Sequence, residues 1–196
     1  MPPYFLLDRI ASIAFYATCF VWIVLELVAG LKRNEPSAQK RDRGSRIVLY
    51  VAIYLGMTLA FFAANALRNF AMPEPRTIIF WIGIALMLFG VAFRWYAIRA
   101  LGKFFTYEVA VRAEQSVVEV GPYHYVRHPS YTGGLITFLG IGLALGNWAS
   151  IVAIMLCAIA GYGYRVRVEE KALVDAIGQP YVEYMRRTRR FIPFVV

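Results

Sequence analysis

Five apolar runs constrain this chain more than any other feature. A bilayer core of ~30 Å needs about 20 apolar residues as helix. Residues 10–31, 47–67 and 77–100 each meet that length. Two more runs, 131–145 and 148–164, are separated only by Gly146-Asn147, a turn signal, and read as a tight helical hairpin. The chain is 60% hydrophobic and 17% charged, where a soluble domain carries ~25% charged residues. That composition argues against an ordinary soluble enzyme and against a disordered tail. The expected fold is all-α, an integral membrane protein with five transmembrane helices. Gly133, Gly134, Gly140 and Gly142 let the short fourth span lie close to its neighbours.

The gaps between runs are informative. Residues 32–46 hold six basic residues with Pro36 and Gly44, a polar loop. Met72-Pro73-Glu74-Pro75 is a short turn, because proline removes a donor and disfavours helix before it. Residues 101–130 lack any apolar period and read as a structured polar loop. After Tyr164 the helical pattern continues in charged residues to Ile177. Gly178 then stops it, and Pro180 starts a short helix over 181–190. Two parts follow: 1–100, with three spans, and 101–196, with polar loop 101–130, hairpin 131–164 and C-terminal helices 165–196.

Twenty-one Lys and Arg against twelve Asp and Glu give a net charge of +9. The basic residues lie in blocks between apolar runs, which suits loops against anionic lipid rather than a nucleic-acid surface. With five spans, all but Arg9, Arg68 and Arg76 fall on one side. The positive-inside rule makes that side cytoplasmic, with the N-terminus outside and the C-terminus in the cytoplasm of a cell membrane. Pro2, Pro3, Arg9 and the lack of a small-residue cleavage site favour a retained first span over a signal peptide. Cys19 and Cys157 sit inside apolar runs, so no disulfide framework is expected. The residues leave oligomeric state open.

Polar chemistry concentrates on the cytoplasmic side, in 101–131 and 165–193, which flank the hairpin. Both histidines lie in Gly121-Pro122-Tyr123-His124-Tyr125-Val126-Arg127-His128-Pro129-Ser130-Tyr131. A plain structural reading, with Ser130 as helix N-cap and interfacial aromatics, leaves Arg127 and His128 unexplained at a span mouth. Ionisable groups at membrane depth favour function. In Arg165, Arg167, Glu169, Glu170 and Lys171, Arg165 and Glu169 share a helix face at i,i+4, while Glu170 is turned about 100° away. Alone this is a self-paired helix end worth ~0.3–0.5 kcal/mol. Facing the first cluster, it becomes the other wall of a polar pocket. No phosphate-binding glycine motif or metal-ligand spacing is present, so no metal is expected. Arg186 to Arg190 reads as a lipid-facing basic patch. Glu26 fits either a buried, bonded carboxylate or an interface residue.

At these residues the chain resembles the isoprenylcysteine carboxyl methyltransferase family, within the wider group that includes phospholipid N-methyltransferases. The motifs are G-P-Y-x-x-V-R-H-P-S-Y at 121–131, R-x-x-x-E-E at 165–170, G-x-x-Y-x-x-Y at 178–184 and F-I-P-F at 191–194. The ordered set covers about 102–196 and is similar to small prokaryotic members of the family, archaeal ones included. The resemblance implies S-adenosylmethionine as cofactor, in a cytoplasmic pocket closed by the C-terminal helices. It implies cofactor contacts at Gln115, Ser116, Val117, Val118, Tyr123, His128, Pro129, Ser130, Tyr131, Glu169 and Glu170. Where the family carries a histidine, this chain has Gln115; Glu108 lies nearby without a clear register. Arg165 matches an arginine that binds substrate, and Arg165 and Glu169 are the catalytic candidates.

The implied substrate is an isoprenylated cysteine or similar lipophilic acid, its chain entering from the bilayer. Methyl transfer from sulfonium to carboxylate cancels two charges, so a dry site favours it. An α-carboxyl with a reference pKa of ~3.5 needs no base, only orientation, which a guanidinium supplies by two-point contact. Phospholipid or amine N-methyl transfer, or thiol S-methyl transfer, remains open on the same scaffold; an ammonium would need a base such as Glu169 or His128. A small transporter and a nicotinamide-dependent reductase rank below these, lacking mid-span charges in spans two and four and a phosphate-binding motif, respectively.

Overall fold

The computed structural model describes residues 2–31, 39–40, 42–105, 110–111 and 116–192. Six α-helices account for most of these: α1 (Arg9–Leu31), α2 (Ser45–Ala66), α3 (Arg76–Leu101), α4 (Pro129–Ala144), α5 (Trp148–Ile177) and α6 (Gln179–Arg187). A two-residue strand pair, β1 (Gln39–Lys40) antiparallel to β2 (Ala110–Val111), departs from the helical pattern. Gln115 and Glu108 lie outside the described residues.

Among the described residues four helices, α1, α2, α3 and α5, are long and apolar enough to cross a membrane. Their outward side chains, such as Ile10, Phe20, Leu27, Ile47, Tyr54 and Phe62, are exposed. Lipid accommodates such a surface where water would not. At 16 residues, α4 is about 24 Å long, short of the ~30 Å hydrocarbon core. It is also the most enclosed helix, with Thr137, Phe138 and Ile141 at 1%, 2% and 0% exposure.

The α3–α4 contact explains that burial. A Cβ added at Gly90 would sit 2.6 Å from the Gly133 carbonyl oxygen, and one at Gly83 would sit 2.7 Å from the Gly140 carbonyl oxygen. Glycines seven residues apart on both helices therefore allow backbone-to-backbone contact. Gly134 and Gly142 instead face Tyr162 and Ile151 of α5, so the sequence-level glycine cluster serves both neighbours.

Asn147 joins α2 to α5. Its Oδ1 accepts from the Ala149 and Ser150 amides, capping α5, while its Nδ2 donates to the Leu67 carbonyl at 2.9 Å. Gly146 reaches φ +67°, the conformation a tight turn needs. Thirty residues make α5 about 45 Å long, so its charged second half projects past the apolar segment. Gly178, at φ +73°, ends it.

Helix α6 starts two residues before the expected 181–190 helix and ends three sooner. Backbone pairing is the reason: the Arg127 and His128 amides donate to the Arg189 and Arg190 carbonyls at 2.7 and 3.0 Å. Val126 and Arg189 form a parallel bridge. Residues 188–189 are thus extended and 190–191 bend, strapped along the segment that enters α4.

Candidate active site

A cavity of about 120 Å³ lies at the end of the bundle where α2 and α4 begin and α3 terminates. One water needs only ~10–15 Å³, so this space is of ligand size. Of the residues expected there, Ser116, Val117, Val118, Tyr123, His128, Ser130, Tyr131, Arg165 and Glu169 line it. Pro129 and Glu170 do not.

Tyr131 organises the polar wall. Its hydroxyl donates to Glu169 Oε2 at 2.6 Å and accepts from Arg165 Nε at 2.9 Å. The expected i,i+4 pair thus has a phenol between its members. Tyr131 stands in the first turn of α4 and its ring stacks on Tyr162 at 5.0 Å and on His128 at 5.5 Å. These contacts fix the hydroxyl against α5.

Glu170 turns the other way, as its 100° offset requires. It is 4% exposed and receives Arg127 Nε at 2.8 Å and Arg190 Nη2 at 2.8 Å, with His128 Nε2 at 3.4 Å. Arg127 also donates to the carbonyls of Met185, at 3.0 Å, and Thr188. The carboxylate therefore clamps the motif loop, α5 and the C-terminal strap together behind the cavity wall. Arg190, read from sequence as part of a lipid-facing patch, belongs to this clamp, and Arg187 pairs with Glu119 at 3.0 Å. Ser130 is not the N-cap of α4. The helix starts at Pro129 with His128 in the cap position, and Ser130 Oγ accepts from Arg94 Nη1 at 3.0 Å.

Arg94 is a cavity residue outside the motifs and outside the expected set. It is 8% exposed, lines the cavity, and forms a two-point ion pair with Glu26 at 2.5 and 3.0 Å. This assigns Glu26 to the bonded-carboxylate alternative. Their depth was a usable signal: Glu26 and Arg94 precede the ends of two co-directional spans by about 8 and 10 Å. Tyr181 and Tyr184 of α6 and Phe104 and Phe105 after α3 complete much of the remaining wall. Burial pushes the Tyr123, Tyr181 and Tyr184 phenols well above their ordinary range, so they stay neutral. Tyr184 donates to the Tyr123 carbonyl at 2.6 Å, tying α6 to the motif loop. No group of His, Cys, Asp and Glu among the described residues is arranged to hold a metal.

Apolar spans around a mixed aromatic and ionic cavity define an integral membrane protein with a ligand site at one end of the bundle. The phospholipid methyltransferase family model matches residues 78–179, and the chain belongs to that family. Protein-S-isoprenylcysteine O-methyltransferase B of Arabidopsis thaliana is 34% identical over 120 residues, which cover 59% of this chain and 61% of the relative. The Saccharomyces cerevisiae protein-S-isoprenylcysteine O-methyltransferase is 32% identical over 116 residues, covering 58% and 48%. Among solved structures, a eukaryotic intramembrane Ras methyltransferase, isoprenylcysteine carboxyl methyltransferase, is similar with a TM-score of 0.53 and 26% identity. That match covers 76% of this chain and 52% of the other. The chain spans about half to three-fifths of the length of these relatives.

Proposed function

We propose that this chain methylates the carboxylate of an isoprenylated cysteine or similar lipophilic acid, using S-adenosylmethionine. The observation that carries the reading is the wall formed by Arg165, Tyr131 and Glu169, inside a cavity that opens at the end of apolar helices. The donor set fits the cofactor. Glu169 offers a carboxylate to an amino or sulfonium charge, and Phe104, Phe105, Val117, Val118 and Tyr181 offer an apolar, aromatic bed for a purine. When bound there, S-adenosylmethionine would supply an electrophilic methyl on sulfonium, whose C–S bonding pair would stay on the sulfur as an ionised acceptor oxygen took the methyl, with no proton to move.

The protein's part is orientation and exclusion of water. Arg165 directs the acceptor carboxylate, and Tyr131 holds Arg165 and Glu169 at a set spacing. Ser116, Val117, Val118, Tyr123, His128 and Ser130 act as further cofactor contacts. Glu170 and Pro129 act from behind the wall. In this reading α4 completes a fifth span, the lipophilic chain enters from the bilayer, and the site faces the cytoplasm with the N-terminus outside. The basic bias of the loops supports that orientation.

Methylation of an amine headgroup is the second reading, favoured by the description of the matching family model. Against it, Arg165 stands on the cavity wall held by Tyr131, where a guanidinium offers an acid acceptor a matching partner and an ammonium none. The test is calorimetric titration of the purified protein with S-adenosylmethionine, then transfer of labelled methyl to a prenylcysteine acid and to amine-headed phospholipids. One-site binding and a base-labile methyl ester are expected. No binding in folded protein overturns the methyltransferase reading, and label only on the amine overturns the choice of acceptor.

A further inference from the structure

Asp42 lies in the α1–α2 connection, outside residues 78–179 that the family model matches. Its carboxylate serves two neighbours. It binds the first turn of α2: Oδ1 accepts from Ser45 Oγ at 2.8 Å and Oδ2 from the Arg46 amide at 3.2 Å. The same Oδ1 lies 3.4 Å from Arg165 Nη1. Both side chains are largely withdrawn from solvent, at 6% exposure for Arg165 and 18% for Asp42. Two residues earlier, β1 pairs with β2, in the connection that leads to the cavity residues Ser116, Val117 and Val118. The α1–α2 connection is therefore joined to the site twice, once by backbone and once by charge.

We propose that Asp42 is a specificity-determining residue: its carboxylate occupies the Arg165 guanidinium in the resting protein, and the carboxylate of an acid acceptor displaces it. This rests on the assignment of Arg165 to the acceptor. The chemistry of the two partners is the same, so exchange never leaves a buried guanidinium without a counter-charge, a costly state. The contact is also built for exchange. At 3.4 Å it is longer than the ~2.7–2.9 Å of a strong charge-assisted bond, whereas Tyr131 holds the Nε edge of the same guanidinium at 2.9 Å. Displacement thus frees Nη1 without releasing the side chain from Tyr131. A neutral acceptor gains no charge pairing from the exchange and is selected against.

The test is Asp42→Asn in the full chain, with Asp42→Ser as a second variant. Asn keeps an oxygen for the first turn of α2 but lacks the charge, and Ser lacks the reach to Arg165. Binding of an S-prenylated cysteine acid and of its primary amide is measured by calorimetry. Loss of the competing charge should tighten the acid by about threefold to fivefold, the range of a weak ion pair such as this long 3.4 Å contact, and leave the amide unchanged. Unchanged or weaker acid binding overturns the proposal and makes Asp42 a support for Arg165. An equal gain for the amide also overturns it, as simple loosening of the connection. If the wild-type protein binds neither compound, the acceptor reading itself fails, and the proposal fails with it.

Discussion

Glu170→Gln separates the roles of two adjacent carboxylates. The substitution keeps the shape and removes the charge that Arg127, Arg190 and His128 face. The Arg127–Glu170 pair is 8% and 5% exposed, and breaking such a buried pair costs ~3–5 kcal/mol. Arg127 retains its bonds to the Met185 and Thr188 carbonyls, so the lower end of that range applies. Arg190 is 42% exposed and adds under ~1 kcal/mol. A loss of ~3 kcal/mol, concentrated on the strap, raises its opening equilibrium about a hundredfold. The amides of Arg127 and His128 report this directly, because they donate to Arg189 and Arg190. Hydrogen exchange of the detergent-solubilised protein should show both amides about a hundredfold faster in the variant. Exchange at the wild-type rate would refute the clamp. Loss of cofactor binding with no change in exchange would place Glu170 at the ligand instead.

Three further outcomes follow from the same geometry. Glu169→Gln should weaken S-adenosylmethionine binding about tenfold or more by calorimetry, while exchange at Arg127 and His128 stays at the wild-type rate; unchanged affinity would remove Glu169 from the cofactor site. Arg165→Lys should lower turnover with acid acceptors at least tenfold, with little change in cofactor affinity, because an ammonium cannot reproduce the guanidinium fork; equal losses in both would make Arg165 structural. Gly90→Ala puts a Cβ 2.5 to 2.6 Å from Thr137 Oγ1 and from backbone atoms of α4 that cannot step aside. It should cost ~1–3 kcal/mol in denaturant unfolding, and a neutral result would show that α3 and α4 separate readily.

Most helix boundaries were legible from residue order alone, within a residue or two. Apolar length, the Gly146-Asn147 turn and the Gly178 stop are local signals, each acting through the backbone of its own segment. The site was legible as a set: nine of the expected wall residues line one cavity, because the hairpin returns α5 beside the loop that enters α4. Which residue does what was less visible. Periodicity states that Glu169 and Glu170 point about 100° apart, but not which one faces the ligand. That depends on how α5 is rotated in the bundle, which the contacts of Gly134 and Gly142 with Tyr162 and Ile151 and packing against α2 decide.

The amino-acid order by itself determined a membrane-embedded helical chain with its polar chemistry gathered at one end, since apolar length and charge placement act on each segment separately. Tertiary structure alone decided the partners. Glu26 meets Arg94, Asp42 meets Arg165, and Tyr131 stands between Arg165 and Glu169. Each of these contacts joins residues at least 34 positions apart, and buried charge is tolerated only where packing brings its counterpart within reach.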